Sequence, residues 1–374
     1  MRKRLVPTML VSGATAAIAS VAFGGCVLAK PDNVYRWGNS VSAKTPAQQF
    51  GAPSGVSFVD AENTFDMVVA RGTLYTGPGP NTFCDNGIGR TGRVATWRPI
   101  LTNVVQMSGG NSWGVALRSD GTVWTWGHQQ HKWNLGTGQT ADQCSPERVP
   151  SLTNIVSVAA GGQHGLAVNS SGTVYAWGSN DDGELGLPVT VRGKATPVAV
   201  AIGVVGGRVT AGHGTSAVWV PGHSGWAWGQ NTFGQLGVGF VSRAVYTPTP
   251  IVGISNIAEL SWGGDLDPND HSLLLTTTGK AYATGNNANG QLGNGTTTNS
   301  SSFKTVSGLP TIVYLSAGGQ HSLFLGASGV VYACGANVYG QVGNNSTSPV
   351  FTPVPVLARA LHIDAGAERS LASS

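Results

Sequence analysis

Residues 154–186 read NIVSVAAGGQHGLAVNSSGTVYAWGSNDDGELG, and this phrase governs how the rest of the chain is interpreted. It holds an apolar segment ending in Gly-Gly, then His164, a second apolar segment, and a third that ends in Trp-Gly. Short runs rich in Val, Ala and Tyr between Gly and Asn-Ser turn signals predict antiparallel β-strands. The strands predicted for this copy are Asn154–Gly161, Gly165–Ser170, Thr173–Gly178 and the Pro-led segment Thr196–Ala201.

The same phrase recurs along the whole chain. Residues 312–343 read IVYLSAGGQHSLFLGASGVVYACGANVYGQVG, and more divergent copies begin at Val104 and Val209. The glycine that ends the third strand recurs about every 50 residues, at Gly38, Gly77, Gly127, Gly178, Gly229, Gly285 and Gly335. A four-stranded unit repeated seven times predicts an all-β fold, a seven-bladed β-propeller of four-stranded blades, because radial packing buries both faces of each sheet.

The two ends of the chain divide one repeat between them. Residues 360–374 supply only the first two strands of a copy, and Asn33–Gly38 supplies a third strand that a Pro-containing segment follows. We therefore predict that the N-terminal strands complete the C-terminal blade. This arrangement closes the ring and leaves no open edge between the first and last blades.

Charge argues against one class of partner. The formal net charge is +4, and Arg2, Lys3 and Arg4 are the only charged groups among the first 29 residues, so the remainder carries +1. A nearly neutral domain lacks the basic surface that nucleic-acid binding requires. We expect no nucleic-acid partner.

The N-terminus is typical of an export signal. A basic start is followed by the apolar run Leu5–Leu28 and by Ala29, a small residue before Lys30. We predict a signal peptide at residues 1–29, a single propeller domain at residues 30–374, and secretion or a place in the cell envelope. Two alternatives stay open: lipidation of Cys26, which alone would give membrane attachment, and an uncleaved anchor helix, which glycines would interrupt.

The repeat resembles the regulator-of-chromosome-condensation repeat family. Ala317–Ser322 matches the family phrase Ala-Gly-Gly-x-His-Ser, and Asn231–Gly237 and Asn287–Gly293 match Asn-x-x-Gly-Gln-Leu-Gly. The resemblance covers residues 33–374 and implies a seven-bladed propeller.

The resemblance implies less about function, because one fold hosts many activities. The eukaryotic namesake is a nuclear nucleotide-exchange factor that docks on chromatin, whereas the export signal and the low charge of this chain argue against both roles. We expect a bacterial, exported and monomeric scaffold, without a cofactor or catalytic residues, that binds another protein through loops on one face. The alternatives are a cell-envelope structural or glycan-binding module, and a hydrolase or lyase built on a propeller.

Partner-binding residues are expected in the turn that follows each Gly-Gly, because this turn varies while the strands around it keep their pattern. The candidates are Trp113, His213, Asp265, Asp267, Asp270, Glu368 and Arg369. Three of them belong to an acidic insertion in the fifth copy, where Asp265, Asp267 and Asn269 follow the order of a calcium loop. The sixth position lacks Gly and the twelfth is Thr276 instead of Glu, so a partner-binding loop and a solvated turn remain alternatives to calcium.

Other repeated residues are expected to be structural. The imidazoles of His164 and His321 would hydrogen-bond backbone in the turn, with catalysis or metal binding as the alternative. The tryptophans that precede the motif glycine are expected to pack between blades; they are Trp37, Trp126, Trp177 and Trp228. Cys334 replaces such a tryptophan and is expected to be buried, whereas Cys84 and Cys144 lie in related polar loops where a disulfide is plausible.

Overall fold

The computed structural model confirms an all-β ring of seven antiparallel sheets. It describes residues 27–28, 32–38, 43–49, 51–61, 66–129, 133–263 and 271–374. Within five of the sheets the strands follow one another in chain order, a sixth adds the N-terminal strand β1 to four consecutive strands, and the seventh joins strands from both ends of the chain. The first strands of all seven blades line one axial channel.

The strands are numbered in chain order. The N-terminal ones are β1 (Val27–Leu28), β2 (Val34–Gly38) and β3 (Ala43–Gln49). Blade 1 contains β4 (Val56–Ala61), β5 (Asp66–Ala70), β6 (Thr73–Thr76) and β7 (Arg98–Thr102). Blade 2 contains β8 (Val104–Gly110), β9 (Trp113–Arg118), β10 (Val123–Gly127) and β11 (Gln143–Arg148). Blade 3 contains β12 (Ile155–Ala160), β13 (His164–Asn169), β14 (Thr173–Ser179) and β15 (Gly193–Gly203).

The second half of the ring repeats this order. Blade 4 contains β16 (Arg208–Ala211), β17 (Thr215–Trp219), β18 (Gly225–Gln230) and β19 (Ala244–Pro250). Blade 5 contains β20 (Ile257–Trp262), β21 (His271–Thr276), β22 (Ala281–Gly285) and β23 (Ser300–Thr305). Blade 6 contains β24 (Ile312–Ala317), β25 (His321–Gly326), β26 (Val331–Gly335) and β27 (Val350–Ala358). Blade 7 begins with β28 (His362–Ala365) and β29 (Arg369–Ser373).

Blade 7 is completed by β2 and β3, as the two incomplete termini predicted. Strand β2 pairs antiparallel with β29 from Val34 opposite Ser373 to Gly38 opposite Arg369. One further contact was not predicted: β1 runs parallel to β27, with Val27 opposite Leu357. Residues 1–26 and 29–31 lie outside the described residues, so the predicted signal peptide and the fate of Cys26 remain predictions.

The predicted strands of blade 3 agree with the observed ones except at the outer edge. The expected segment Thr196–Ala201 is part of the longer strand β15, which begins at Gly193 and ends at Gly203. Its register on β14 shifts twice, because two irregularities let the strand follow β14 to both ends. The sequences of the outer strands differ most from one copy to the next, and apolar and polar residues alternate only weakly in them. Their ends are therefore hard to predict from the sequence.

Blade-to-blade packing by the periodic tryptophans is confirmed. All four are fully buried. The indole Nε1 of Trp177 donates a hydrogen bond of 2.8 Å to the carbonyl of Asn134 in the preceding blade, and Trp228 does the same toward Glu184 at 2.8 Å. Cys334 is fully buried at the equivalent place in blade 6, as expected.

The ring has two faces that differ in what they present. The turns between first and second strands and the long loops between third and fourth strands lie on one side, which we call the turn face. The tight hairpins and the segments that lead into the next blade lie on the other side, the connector face. No helix in the described part of the chain is long and apolar enough to cross a membrane.

Candidate functional site

The first residue of every second strand occupies one place in the ring, at the junction with the next blade. We call it the seam position. Its occupants, from blade 1 to blade 7, are Asp66, Trp113, His164, Thr215, His271, His321 and Arg369. All seven are at most 4% exposed. The seam position is therefore a buried junction, whatever residue stands there.

Three seam positions hold histidines that bind a serine of the following blade. His321 Nε2 lies 2.8 Å from Ser370 Oγ, and Ser370 Oγ donates to the carbonyl of Gln341 at 2.9 Å. His164 and Ser216 repeat the pair at 2.9 Å. His271 and Ser322 repeat it at 2.8 Å. The interblade partner of the imidazole is thus a hydroxyl, and the expected backbone hydrogen bond in the turn is corrected accordingly.

The direction of these hydrogen bonds decides their chemistry. A serine hydroxyl has one proton, and a carbonyl oxygen only accepts, so that proton goes to Gln341. His321 must then donate Nε2–H to the serine oxygen. Burial lowers the pKa of the His321 imidazole to about 3, so the ring is neutral at physiological pH. An imidazole that already carries Nε2–H cannot take the serine proton, and the pair acts as an interblade clamp instead of a nucleophile with its base.

The same contact explains the Gly-Gly of the repeat phrase. A Cβ atom added to Gly318 would lie 2.4 Å from His321 Cε1, and one on Gly161 would lie 2.2 Å from His164 Cε1. Neither distance is sterically allowed. The first glycine therefore lets the buried ring lie against the backbone.

Trp113 is not an exposed anchor, contrary to the sequence-based expectation. It is fully buried at the seam position of blade 2, and its indole N–H faces the carbonyls of Gly161 at 3.1 Å and Gly162 at 3.2 Å. Blade 3 has Gly165 where blades 4 to 7 have a serine. The larger indole spans that space and bonds the backbone directly.

Arg369 is also buried, at 4% exposure, and forms an ion pair with Asp66 of blade 1. The expectation that its guanidinium faces a partner is therefore corrected. Its neighbour Glu368 is half-buried on the turn face. His213 is half-buried as well, and its carbonyl lies 3.3 Å from the amide N of Gly162 in the preceding blade.

Four of the predicted residues cannot be placed. Asp265, Asp267, Asn269 and Asp270 lie outside the described residues, so the calcium loop and its alternatives stay predictions. Within the described ranges, no group of three or more His, Cys, Asp or Glu side chains is arranged to hold a metal ion.

The long loops of the turn face carry exposed apolar side chains that the sequence analysis overlooked. Phe240 is 46% exposed, Val338 is 69% exposed and Tyr339 is 45% exposed. Val338 and Tyr339 fill the two variable places of Asn-x-x-Gly-Gln-Val-Gly. The motif accepts any residue at these two places, which indicates that the side chains there are exposed. This signal could have identified both residues from the sequence.

These loops are held in place by their neighbours. The amide of Gly239 donates to the carbonyl of Ser301 in blade 5 at 2.9 Å, and Gly138 and Gly295 make the same bond to their following blades. The loop of blade 1 has a covalent link as well, a disulfide from Cys84 to Cys144 of blade 2 with Cα atoms 4.4 Å apart. The turn face thus presents its exposed residues on fixed loops.

The axial channel has a volume of about 470 Å³ and contains carboxylates that clamp blades. Asp364 Oδ2 accepts from the amide of Ala61 at 2.7 Å, and its Oδ1 accepts from Ser316 Oγ at 2.7 Å. Asp60 Oδ2 accepts from the amide of Gly109 at 2.9 Å. Burial, together with the charge of Asp60, raises the pKa of Asp364 to about 7. These hydrogen bonds account for the polar lining around Asp60 and Asp364 as contacts between blades.

The connector-face mouth of this channel carries several exposed apolar side chains. Its exposed side chains come from the starts of the inner strands and from the segments before them, and include Phe58, Val105, Val156, Val313 and Leu361. Exposed hydrophobic residues are therefore present on both faces. Those of the connector face gather near the axis, whereas those of the turn face stand on the long peripheral loops.

Comparison with known proteins agrees with the repeat architecture described above. A family model described as the RCC1-like domain matches residues 4–372. The chain is 34% identical over 206 residues to the human probable E3 ubiquitin-protein ligase HERC3, covering 52% of this chain and 19% of that protein. It is 28% identical over 300 residues to protein pim1 of Schizosaccharomyces pombe, covering 71% of this chain and 53% of pim1. The chain thus spans about half or less of these curated relatives.

Solved structures show the same fold at low identity. Prp20p from Saccharomyces cerevisiae, described with its binding properties toward Gsp1p and histones, has a TM-score of 0.77 at 19% identity, covering 93% of this chain and 92% of that one. Yeast RCC1 (Prp20) bound to Kap60 has a TM-score of 0.80 at 19% identity, covering 100% and 96%. Human WBSCR16 has a TM-score of 0.78 at 18% identity, covering 92% and 98%.

Proposed function

Because this chain belongs to the RCC1-like domain family, we propose that it is a non-enzymatic scaffold that binds a protein partner on its turn face. Prp20p, whose fold it shares, is described as binding Gsp1p and histones, and yeast RCC1 as bound to Kap60. These ligands are not assigned to this chain, since proteins that share a fold need not share a ligand.

One observation carries the proposal: the turn face displays aromatic and apolar side chains on loops that the next blade holds still. Phe83 is 47% exposed in blade 1, Phe240 46% in blade 4 and Tyr339 45% in blade 6. Large aromatic side chains dominate binding energy at protein interfaces. Loops that are already ordered lose little entropy when a partner binds.

The polar residues around them complete the contact surface. His213 and Glu368 are half-buried at turns of this face, and the acidic insertion that includes Asp265, Asp267 and Asp270 lies in sequence between β20 and β21, outside the described residues. The buried seam residues Trp113 and Arg369 have a different part, which is to hold the blades in register. The proposed interface therefore excludes those two residues.

The test is capture of partners from the native medium on immobilised protein, compared across matched variants. We expect the double substitution Phe240→Ser and Tyr339→Ser to abolish capture of the specific partner. The matched control, Val105→Ser with Leu361→Ser on the connector face, should retain it. Loss of capture with the control pair alone would place the interface on the connector face, and capture of glycan without protein would refute the protein-binding function.

We further propose that the chain is exported from a bacterial cell. The apolar N-terminal run supports export, and so does the disulfide between Cys84 and Cys144, since disulfides persist in oxidising compartments. Intact-mass analysis of the natural protein should show a chain that begins at Lys30. A lipid on Cys26 would indicate the anchored alternative, and a full-length chain in the cytoplasm would contradict export.

A further inference from the structure

A groove of about 530 Å³ lies on the outer wall of the ring where blades 1 and 2 meet. Its sides are β7, the outermost strand of blade 1, and the segment Ser145–Pro146 of β11, the outermost strand of blade 2. The loop after β6 closes one end with Ile88 and Arg90. The groove is separate from both the axial channel and the turns of the Gly-Gly segments.

Two guanidinium groups give this groove its charge. Arg90 and Arg98 line it and are exposed, and none of the residues lining it is acidic. The ion pairs found among the described residues involve neither arginine. By contrast, Arg192 lies 3.7 Å from Asp181 and Arg243 lies 3.8 Å from Asp182, on the loops of blades 3 and 4.

A basic residue at this loop position distinguishes the junction of blades 1 and 2 from the equivalent junctions compared below. At five junctions a loop amide donates to a carbonyl of the following outer strand, and the donors are Gly89, Gly138, Gly239, Gly295 and Asn345. The residues directly after these donors are Arg90, Gln139, Phe240, Thr296 and Ser346. Arg90 is the basic member of this set, so the charge is a property of this particular site and not of the repeat.

The groove is also rigid. Its loop is tied to blade 2 by the Cys84–Cys144 disulfide and by the bond from the Gly89 amide to the Cys144 carbonyl at 2.6 Å. Within the loop, the buried Asn81 donates from Nδ2 to the carbonyl of Arg90 at 2.6 Å. The backbone that carries Arg90 is therefore ordered before any ligand arrives, which reduces the entropy lost on binding.

We propose that this groove binds an acidic peptide segment of a partner protein. Two exposed guanidinium groups, neither of them in an ion pair found among the described residues, attract carboxylates and hydrogen-bond them well. In the free protein Arg90 Nη1 donates a hydrogen bond of 3.4 Å to the carbonyl of Thr91. Ile100 and Pro146 supply an apolar floor, which suits a peptide in which acidic and apolar residues alternate. The lining contains no aromatic residue on which a nucleotide base would stack, so a single-stranded nucleic acid fits less well.

This site goes beyond the turn-face function, and its test does not depend on it. The probe is a short fluorescein-labelled peptide of alternating Glu and Val, titrated with the full-length protein at low salt and followed by fluorescence anisotropy. We expect the double substitution Arg90→Gln and Arg98→Gln to weaken binding at least about tenfold. The control pair, Arg192→Gln with Arg243→Gln, removes the same net charge and should change affinity less than about twofold.

Two further measurements separate recognition from general attraction. A peptide of alternating Gln and Val should not bind, and affinity for the acidic peptide should fall as salt increases. All four arginines are exposed, so their substitution should not disturb the fold. Thermal unfolding curves that match the curve of the natural protein will show that each variant is folded. Unchanged affinity of the Arg90 and Arg98 variant, equal binding of the Gln peptide, or tighter binding of single-stranded DNA would each overturn the proposal.

Discussion

The Arg369 guanidinium lies 3.3 Å from the Asp66 carboxylate, and both side chains are buried at the seam between blade 7 and blade 1. The other carboxylate oxygen of Asp66 accepts from Arg36 Nη1 at 2.6 Å. Arg369 belongs to the C-terminal half of the closing blade and Arg36 to its N-terminal half. One carboxylate therefore ties both halves of the closing blade to blade 1, whereas three other seams use a histidine and a serine.

Replacing Asp66 by Asn should destabilise the ring strongly. The amide keeps the shape of the side chain but removes the negative charge that pairs with the buried Arg369 and the half-buried Arg36, which costs about 3–5 kcal/mol. Chemical unfolding measured by Trp fluorescence checks this value. The control Asp181→Asn removes an exposed carboxylate and should change stability by less than about 0.5 kcal/mol. Equal effects of the two substitutions would refute the assigned role of the seam ion pair.

Trp113→Phe tests whether the indole N–H closes the seam between blades 2 and 3. Phenylalanine lacks the donor, so the carbonyls of Gly161 and Gly162 lose their partner, and part of the ring volume is lost as well. We expect a loss of about 2–4 kcal/mol in the free energy of unfolding. The half-buried Trp226→Phe should lose less than about 1 kcal/mol. Unchanged stability with weakened partner binding would instead support the original view of Trp113 as an exposed anchor.

Stability should pass through a maximum in mildly acidic solution. Burial lowers the pKa of His164, His271 and His321 to about 3, so the unfolded chain binds more protons than the folded one below pH 6.5 and stability falls there. Burial raises the pKa of Glu184 and Asp364 to about 7, so the folded state holds extra protons below that value and loses stability as pH rises through it.

The combined effect places the maximum between about pH 5 and 6.5, as measured by denaturant unfolding across pH 4 to 8. Asp364→Asn removes one of the raised groups and should flatten the alkaline side of the profile. The acidic side should persist and become steeper in this variant, because the three histidines are untouched and Asp364 no longer offsets part of their effect between about pH 4 and 7. A profile without an acidic limb would show that the imidazoles are not held neutral.

The disulfide between Cys84 and Cys144 should stabilise the ring by about 2–4 kcal/mol, because it closes a loop of 60 residues in the unfolded chain. The double substitution Cys84→Ser and Cys144→Ser should lower the melting temperature, and a reductant should lower it in the natural protein alone. Peptide mapping without reduction verifies the pairing. If a reductant lowered the melting temperature of the natural protein and of the double variant equally, the disulfide would not be the group on which the reductant acts.

Much of the architecture follows from local pattern. The seven-fold period, the four strands per unit and the two half-repeats at the chain ends predicted the propeller and its closure. The tryptophans before four of the seven motif glycines predicted interblade packing, because one register implies one environment. These features depend on side-chain type and spacing within a single copy, which the sequence displays directly.

The site residues were harder to predict, because their environment is formed by the next blade. When Gly109–Gly110 of the second copy is aligned with Gly161–Gly162, Trp113 falls one residue beyond the position of His164. Strand pairing shows otherwise: Trp113 opposes Gly127 as His164 opposes Gly178, so the two share one buried position. The sequence contained both residues but not the register that made them equivalent.

The sequence by itself determined a closed ring of seven blades, because hydrophobic alternation and turn residues act over a few positions along the chain. Only the tertiary structure decided which polar residues are spent on holding that ring together. His321 meets Ser370, and Asp66 meets Arg369, across distances in sequence at which no local pattern operates. Burial between two blades removes such groups from water, and the partner that replaces the water is selected by geometry in three dimensions.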